Sequence, residues 1–189
     1  MRLLLLLYLA FYGISSSAGE IKSANVEHKG KDYRLDLVME IEAGREGIVA
    51  LLMDHENFKQ LSEVMLESGL VDDAPEDKTR RRLVVKTCIV FFCFKVVMVE
   101  DIERPFDDRL LAIMVPEQSD FKYGRTEWQI EPLGPGRSEI NYSFHLRPDF
   151  WIPPAIGPFF IKRKMVREAK ESILKMESLA AGAYSEGTR

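Results

Sequence analysis

The two cysteines of this chain, Cys88 and Cys93, stand five positions apart around the apolar run Ile89, Val90, Phe91 and Phe92. Thiols so placed offer a disulfide, since an isolated even pair at short spacing in an oxidising compartment tends to be bonded. On one straight strand their Cα atoms would lie about 16 Å apart at ~3.3 Å per residue. The bond needs them within ~7 Å. A Cys88–Cys93 disulfide therefore requires the chain to turn back, with Ile89, Val90, Phe91 and Phe92 at the tip of a clamped hairpin. The alternative is a continuous buried strand carrying two inert thiols.

Other reactive constellations are thin. His28, His55 and His145 are scattered over an N-terminal stretch, a helix boundary and a strand. They lack the spacing of a zinc site, so no metal is expected. No Gly-x-Ser-x-Gly motif and no phosphate-cradling glycine loop occurs. Glu127, Asn141 and His145 would form an acid–base set only if they turned inward, but they alternate with an apolar face and are expected outside. Arg80, Arg81 and Arg82 read as a charged strand surface. No catalytic residue and no cofactor is assigned.

The start of the chain bears on the compartment. Arg2 precedes the apolar run Leu3 to Tyr12, and Ser16-Ser17-Ala18 follows, a pattern expected of a signal peptide over 1–18 cleaved after Ala18. The run is shorter than the ~20 residues of a spanning helix, so a periplasmic or secreted location is expected. The 189 residues carry a formal charge of -4, and loss of Arg2 makes the remainder one unit more acidic. A mildly acidic chain lacks the basic footprint of a nucleic-acid binder. The length fits one domain with a real core, expected over 31–181 as a monomer, with loose segments at 19–30 and 182–189.

Within that domain, Tyr33, Leu35, Leu37, Met39 and Ile41 alternate with polar or smaller residues, the period-two pattern of a half-buried strand. A helix over 44–53 and a short helix around Phe58 to Leu61 follow. Six strands are then expected near 64–71, 80–87, 94–103, 109–115, 125–131 and 138–147, joined by short links that favour an antiparallel meander. The chain closes on a helix over 157–180, in which Val166, Ala169, Ile173, Met176 and Ala180 form an apolar stripe. Strand, two helices, six strands and a long helix predict an α+β fold, a curved antiparallel sheet wrapped around its last helix.

In the segment Ile48 to Phe58, the stretch Phe121 to Pro132 and the terminal helix, the chain resembles the START-like or helix-grip (SRPBCC) superfamily, which includes polyketide cyclases and coenzyme-Q-binding proteins. The clamped hairpin and the segment Asp149 to Phe160 resemble features of a secreted bacterial branch. The resemblance implies an apolar cavity between sheet and terminal helix that takes a lipid, isoprenoid, quinone or polyketide. Its expected lining comprises Leu83, Val85, Phe121, Trp128 and Ile130, then Tyr142, Phe144, Met165, Ala169 and Ile173. Trp128 and Tyr142 each join a large apolar body to a polar group, which suits a ligand headgroup. Ile89, Val90, Phe91, Phe92, Trp151 and Ile152 are candidates for a lip of that cavity or a membrane-facing finger. Behind Trp151, the basic run Lys162, Arg163, Lys164, Arg167 and Lys170 could meet an anionic bilayer, but charge runs on helices are usually solvated faces, which is the reading favoured. With no catalytic residue assigned, a binding role is favoured over the alternatives of an enzyme acting on a polyketide-like or lipid substrate and of a ligand-free membrane-docking module.

Overall fold

A computed structural model of the chain describes residues 19–89, 92–152 and 157–186. The expected signal peptide, 1–18, lies outside the described residues. The elements are β1 (Glu20–Lys29), β2 (Asp32–Ile41), α1 (Arg45–Met53), a short 3-10 helix (Phe58–Leu61), β3 (Met65–Leu70), β4 (Thr79–Ile89), β5 (Phe92–Phe106), β6 (Arg109–Met114), β7 (Phe121–Gly134), β8 (Arg137–Pro148) and α2 (Gly157–Glu186). The eight strands form one antiparallel sheet in the order β1-β2-β8-β7-β6-β5-β4-β3. The sheet is curved around α2, the α+β architecture expected from the sequence.

Burial follows the period-two pattern closely in β2, where Tyr33, Leu35, Leu37, Met39 and Ile41 are all buried. These side chains, with those of β4, β5, β7 and β8, make the inward face. The polypeptide leaves β2 through α1 and the 3-10 helix to reach β3 at the far edge, and six strands then return to pair β8 with β2. On the way back α2 packs against α1, β1, β2 and β4, and Ile173 and Met176 are its buried anchors.

Two expectations are corrected at the ends of the domain. Residues 19–30, expected to be loose, are mostly an edge strand: β1 pairs with β2 from Glu20↔Glu40 to Lys29↔Asp32. Its side chains are mostly exposed, so it carries little apolar alternation, and its cohesion comes from backbone pairing and from α2. Glu177 of α2 accepts hydrogen bonds at 2.8 Å from Gly19 N and at 2.8 Å from Glu42 N, tying the start of β1 to the end of β2. The tight reversal into β2 uses Gly30 at φ 62°, a left-handed conformation favouring glycine. At the other end, α2 continues to Glu186, into the segment expected as a loose tail.

The arginine triplet is also corrected. Arg80 and Arg82 pair outward with Asp101 and Glu67, but Arg81 is 1% exposed. Strand parity places it on the inward face with Leu83 and Val85, opposite Glu100, which shares its face with Val96 and Met98. The Arg81 guanidinium donates to Glu100 Oε2 at 3.0 Å and to the Leu52 carbonyl at 3.3 Å, and lies 3.6 Å from the centre of the Phe58 ring. A charge is tolerated there because ion pair, carbonyl and ring together replace water.

His55 is buried beside this cluster, and its Nδ1 has no partner among the described residues. Burial, helped by the Arg81 charge, holds its pKa below the ordinary value. Such a group stabilises the fold above its unfolded pKa of about 6.5 and withdraws that stability as pH falls through its lower folded value. Urea melts at pH 7 and pH 5 are therefore expected to show the native chain losing more stability than His55→Gln, with an excess slope of at most about 1.4 kcal/mol per pH unit. Equal losses would show that His55 does not titrate on unfolding.

Candidate functional site

Because the inward face is apolar and α2 spans it without filling it, a cavity of about 320 Å³ remains between sheet and helix. The sheet contributes Leu83, Val85, Phe121, Trp128, Tyr142 and Phe144 to its wall, and α2 contributes Met165, Ala169 and Ile173. Those nine expected residues, drawn from three strands and one helix, are thus brought together. Ile130, the tenth, is fully buried in the core and does not line the cavity.

An aromatic ladder runs across the β7–β8 wall. Ring centres are 5.7 Å apart for Trp128 and Tyr142 and 6.4 Å apart for Tyr142 and Phe144. Burial pushes the Tyr142 phenol up from its ordinary pKa, so its hydroxyl stays a proton donor throughout the neutral range. Thr126, on the same face, adds a second small polar group. Toward one end of the strands, Phe150 stands edge-on to Phe94 at 5.1 Å and to Phe121 at 5.6 Å. Cys88 and Ile152 line the cavity at this end.

Several lining residues were not picked out in the sequence. Leu35, Leu37 and Met39 of β2 form another part of the wall, and Phe58 and Leu61 come from the 3-10 helix. The β2 alternation announced a buried face without saying that it borders a cavity. Lys164 and Glu168 of α2 also line it, although their segment reads as a solvated basic face. Glu168 Oε2 accepts a hydrogen bond from Ser62 Oγ at 3.1 Å. Burial holds the Lys164 ammonium below its ordinary pKa.

Cys88 and Cys93 are bonded, facing each other across the β4–β5 hairpin with Cα atoms 4.0 Å apart. Of the expected lip, Val90 and Phe91 lie outside the described residues. Ile89 and Phe92 pair through their backbones, Ile152 lines the cavity, and Trp151 is 75% exposed. Replacing both cysteines by Ser is expected to cost about 2 kcal/mol, the loop-closure entropy of so short a ring. Urea melts with and without reductant check it: reductant should bring the native chain down to the double variant and leave that variant unmoved.

Glu127, Asn141 and His145 do not assemble. Glu127 pairs with Arg109 at 3.4 Å and Arg125 at 3.3 Å, while His145 Nε2 lies 3.2 Å from Asp32. None of the three lines the cavity. Among the described residues no cluster of three metal-ligating side chains occurs, and no helix is long and apolar enough to cross a membrane.

A family model described as polyketide cyclase / dehydrase and lipid transport matches residues 48–172, from α1 to the middle of α2. The chain belongs to this family. Comparison with curated proteins returns no match. Among solved structures, a START superfamily protein from Mycobacterium smegmatis is similar at TM-score 0.63 and 17% identity, covering 79% of this chain and 98% of that one. A STAR-related lipid transfer protein from Xanthomonas axonopodis gives TM-score 0.58 at 14% identity, covering 84% and 98%. An aromatase/cyclase from Streptomyces gives TM-score 0.55 at 9% identity, covering 84% and 96%. At such identities the likeness is one of fold, and the fold of this polyketide cyclase / lipid transport family member is START-like.

Proposed function

We propose that this chain is a binding or carrier protein for a hydrophobic small molecule of the lipid, isoprenoid or quinone class, and that it acts outside the cytoplasm. The observation that carries the reading is the cavity of about 320 Å³ whose wall is almost wholly apolar. Affinity would come from burial, at about 25 cal/mol per Å² of apolar surface removed from water, less the cost of association. Family membership and the lipid transfer protein among its structural neighbours support a lipid-like ligand. The basic–apolar–small start of the chain and the Cys88–Cys93 bond support an oxidising compartment.

Chemistry on the ligand would need an acid or base poised near neutral pH. Burial moves the Tyr142 phenol away from that range, and Glu127, Asn141 and His145 do not line the cavity. Native mass spectrometry of gently purified protein, followed by organic extraction, tests the reading. An apolar molecule is expected to leave with the protein and be recovered in the extract. A chain that neither retains nor accepts any such molecule would refute it. Amino-terminal sequencing of the exported protein checks the compartment, with cleavage after Ala18 expected.

A further inference from the structure

The cavity carries two charged residues, Lys164 and Glu168, one helical turn apart on α2. Their situations differ. Glu168 is provided for: Ser62 donates to it at 3.1 Å, Arg167 lies 3.7 Å away, and its side chain is 17% exposed. Lys164 is half-buried, yet among the described residues no hydrogen bond or ion pair holds its ammonium. Arg167, the nearest competitor for acidic partners on the helix, reaches both Glu168 and Glu171. A cation taken partly out of water is costly when its nearest carboxylate, Glu168, is shared with Ser62 and Arg167 and does not bond it. The wall opposite is apolar apart from hydroxyls such as those of Tyr142 and Thr126. Anything seated there must answer one positive charge with one end and apolar surface with the rest.

Resting on the binding role proposed above, we propose that the ligand is a long-chain aliphatic carboxylic acid, its carboxylate held by Lys164 and its chain laid along the β7–β8 wall. A charged acceptor makes a markedly stronger hydrogen bond to an ammonium than an alcohol or ester does. The Glu168 carboxylate one turn away offsets part of the field, so one negative charge is welcome and a second is repelled. That favours a carboxylate over a phosphate monoester. A volume of about 320 Å³ lies at the small end of the ~300–1,000 Å³ usual for ligand pockets, which favours one chain over two. Burial holds the Lys164 pKa down in the empty protein, and a bound carboxylate would push it back up.

Isothermal titration with dodecanoate, dodecanol and dodecyl phosphate separates the possibilities. The native chain is expected to bind dodecanoate about tenfold or more tightly than dodecanol, and dodecyl phosphate no more tightly than dodecanoate. Lys164→Met should weaken dodecanoate far more than dodecanol and so remove the preference for the acid, and Lys164→Arg should keep most of it. Equal binding of acid and alcohol by the native chain overturns the headgroup assignment but leaves cavity binding standing. So does a preference that survives Lys164→Met, and a tenfold advantage for the phosphate would replace carboxylate by phosphate. Failure of all three to bind overturns the aliphatic-acid assignment, while the binding role itself stands or falls by native mass spectrometry and extraction. The ligand comparison on the native chain needs no variant to fold.

Discussion

Arg81→Leu is expected to destabilise the fold by about 3–5 kcal/mol, because it leaves the Glu100 carboxylate buried without its counter-charge. Arg81 is 1% exposed and Glu100 is 4% exposed, so neither can turn to water without opening the sheet against α1. The substitution also frees the Leu52 carbonyl and removes the cation from the Phe58 ring. An unpaired buried carboxylate escapes by taking a proton, which raises its folded pKa above the unfolded value of about 4.3. The sign follows: the protonated form is the one the variant tolerates, so its deficit should shrink as pH falls toward about 4 and grow as pH rises. Glu100→Gln leaves Arg81 charged at every pH and should show no such recovery. Replacing both residues by Leu should return stability to within about 1 kcal/mol of the native chain or above it. Arg82→Leu, which breaks an exposed pair with Glu67, should cost about 1 kcal/mol or less. Urea melts across pH decide the matter, and a loss below about 1 kcal/mol for Arg81→Leu would mean that water reaches the pair.

What was legible in the sequence was set by pattern, and what was not was set by distant partners. The Tyr33 to Ile41 alternation and the stripe through Ala169 and Ile173 declare their faces locally, and they sufficed to place a sheet around a terminal helix. β1 declares nothing of the kind, since only Ile21 and Val26 pack on the core and its clamp, Glu177, lies on the last helix. Arg81 was hidden because a charge in a strand reads as outward. Its parity with Leu83 and Val85, and that of Glu100 with Val96 and Met98, held the signal, but each residue had to be weighed with the other. Lys164 and Glu168 were hidden in the same way among the basic residues of α2, although Lys164 follows Ile161 by three positions and Glu168 precedes Ser172 by four, all on the cavity side. The Cys88–Cys93 hairpin was legible from spacing and an expected oxidising compartment, and the bond is formed.

Ala169→Phe is expected to weaken ligand uptake by about 100-fold while leaving the fold intact. Ala169 lies on α2 between Met165 and Ile173, four residues from each, and all three line the cavity. A phenylalanine ring in a filled core would force strain of about 1–3 kcal/mol. Here the ring enters space that is already empty, so the unliganded protein should melt within about 1 kcal/mol of the native chain, or later. A ligand excluded from ~100 Å² of that apolar surface loses about 2.5–3 kcal/mol of burial, which is the expected 100-fold. Leu83→Ala on the opposite wall makes the contrasting case, since it removes packing and should destabilise by about 2–5 kcal/mol while enlarging the cavity. The pair of variants therefore separates stability from occupancy, moving them in opposite directions in urea melts and in the yield of extractable ligand. Undiminished uptake by a folded Ala169→Phe would show that the ligand sits elsewhere, because no apolar chain can share that stretch of wall with the ring.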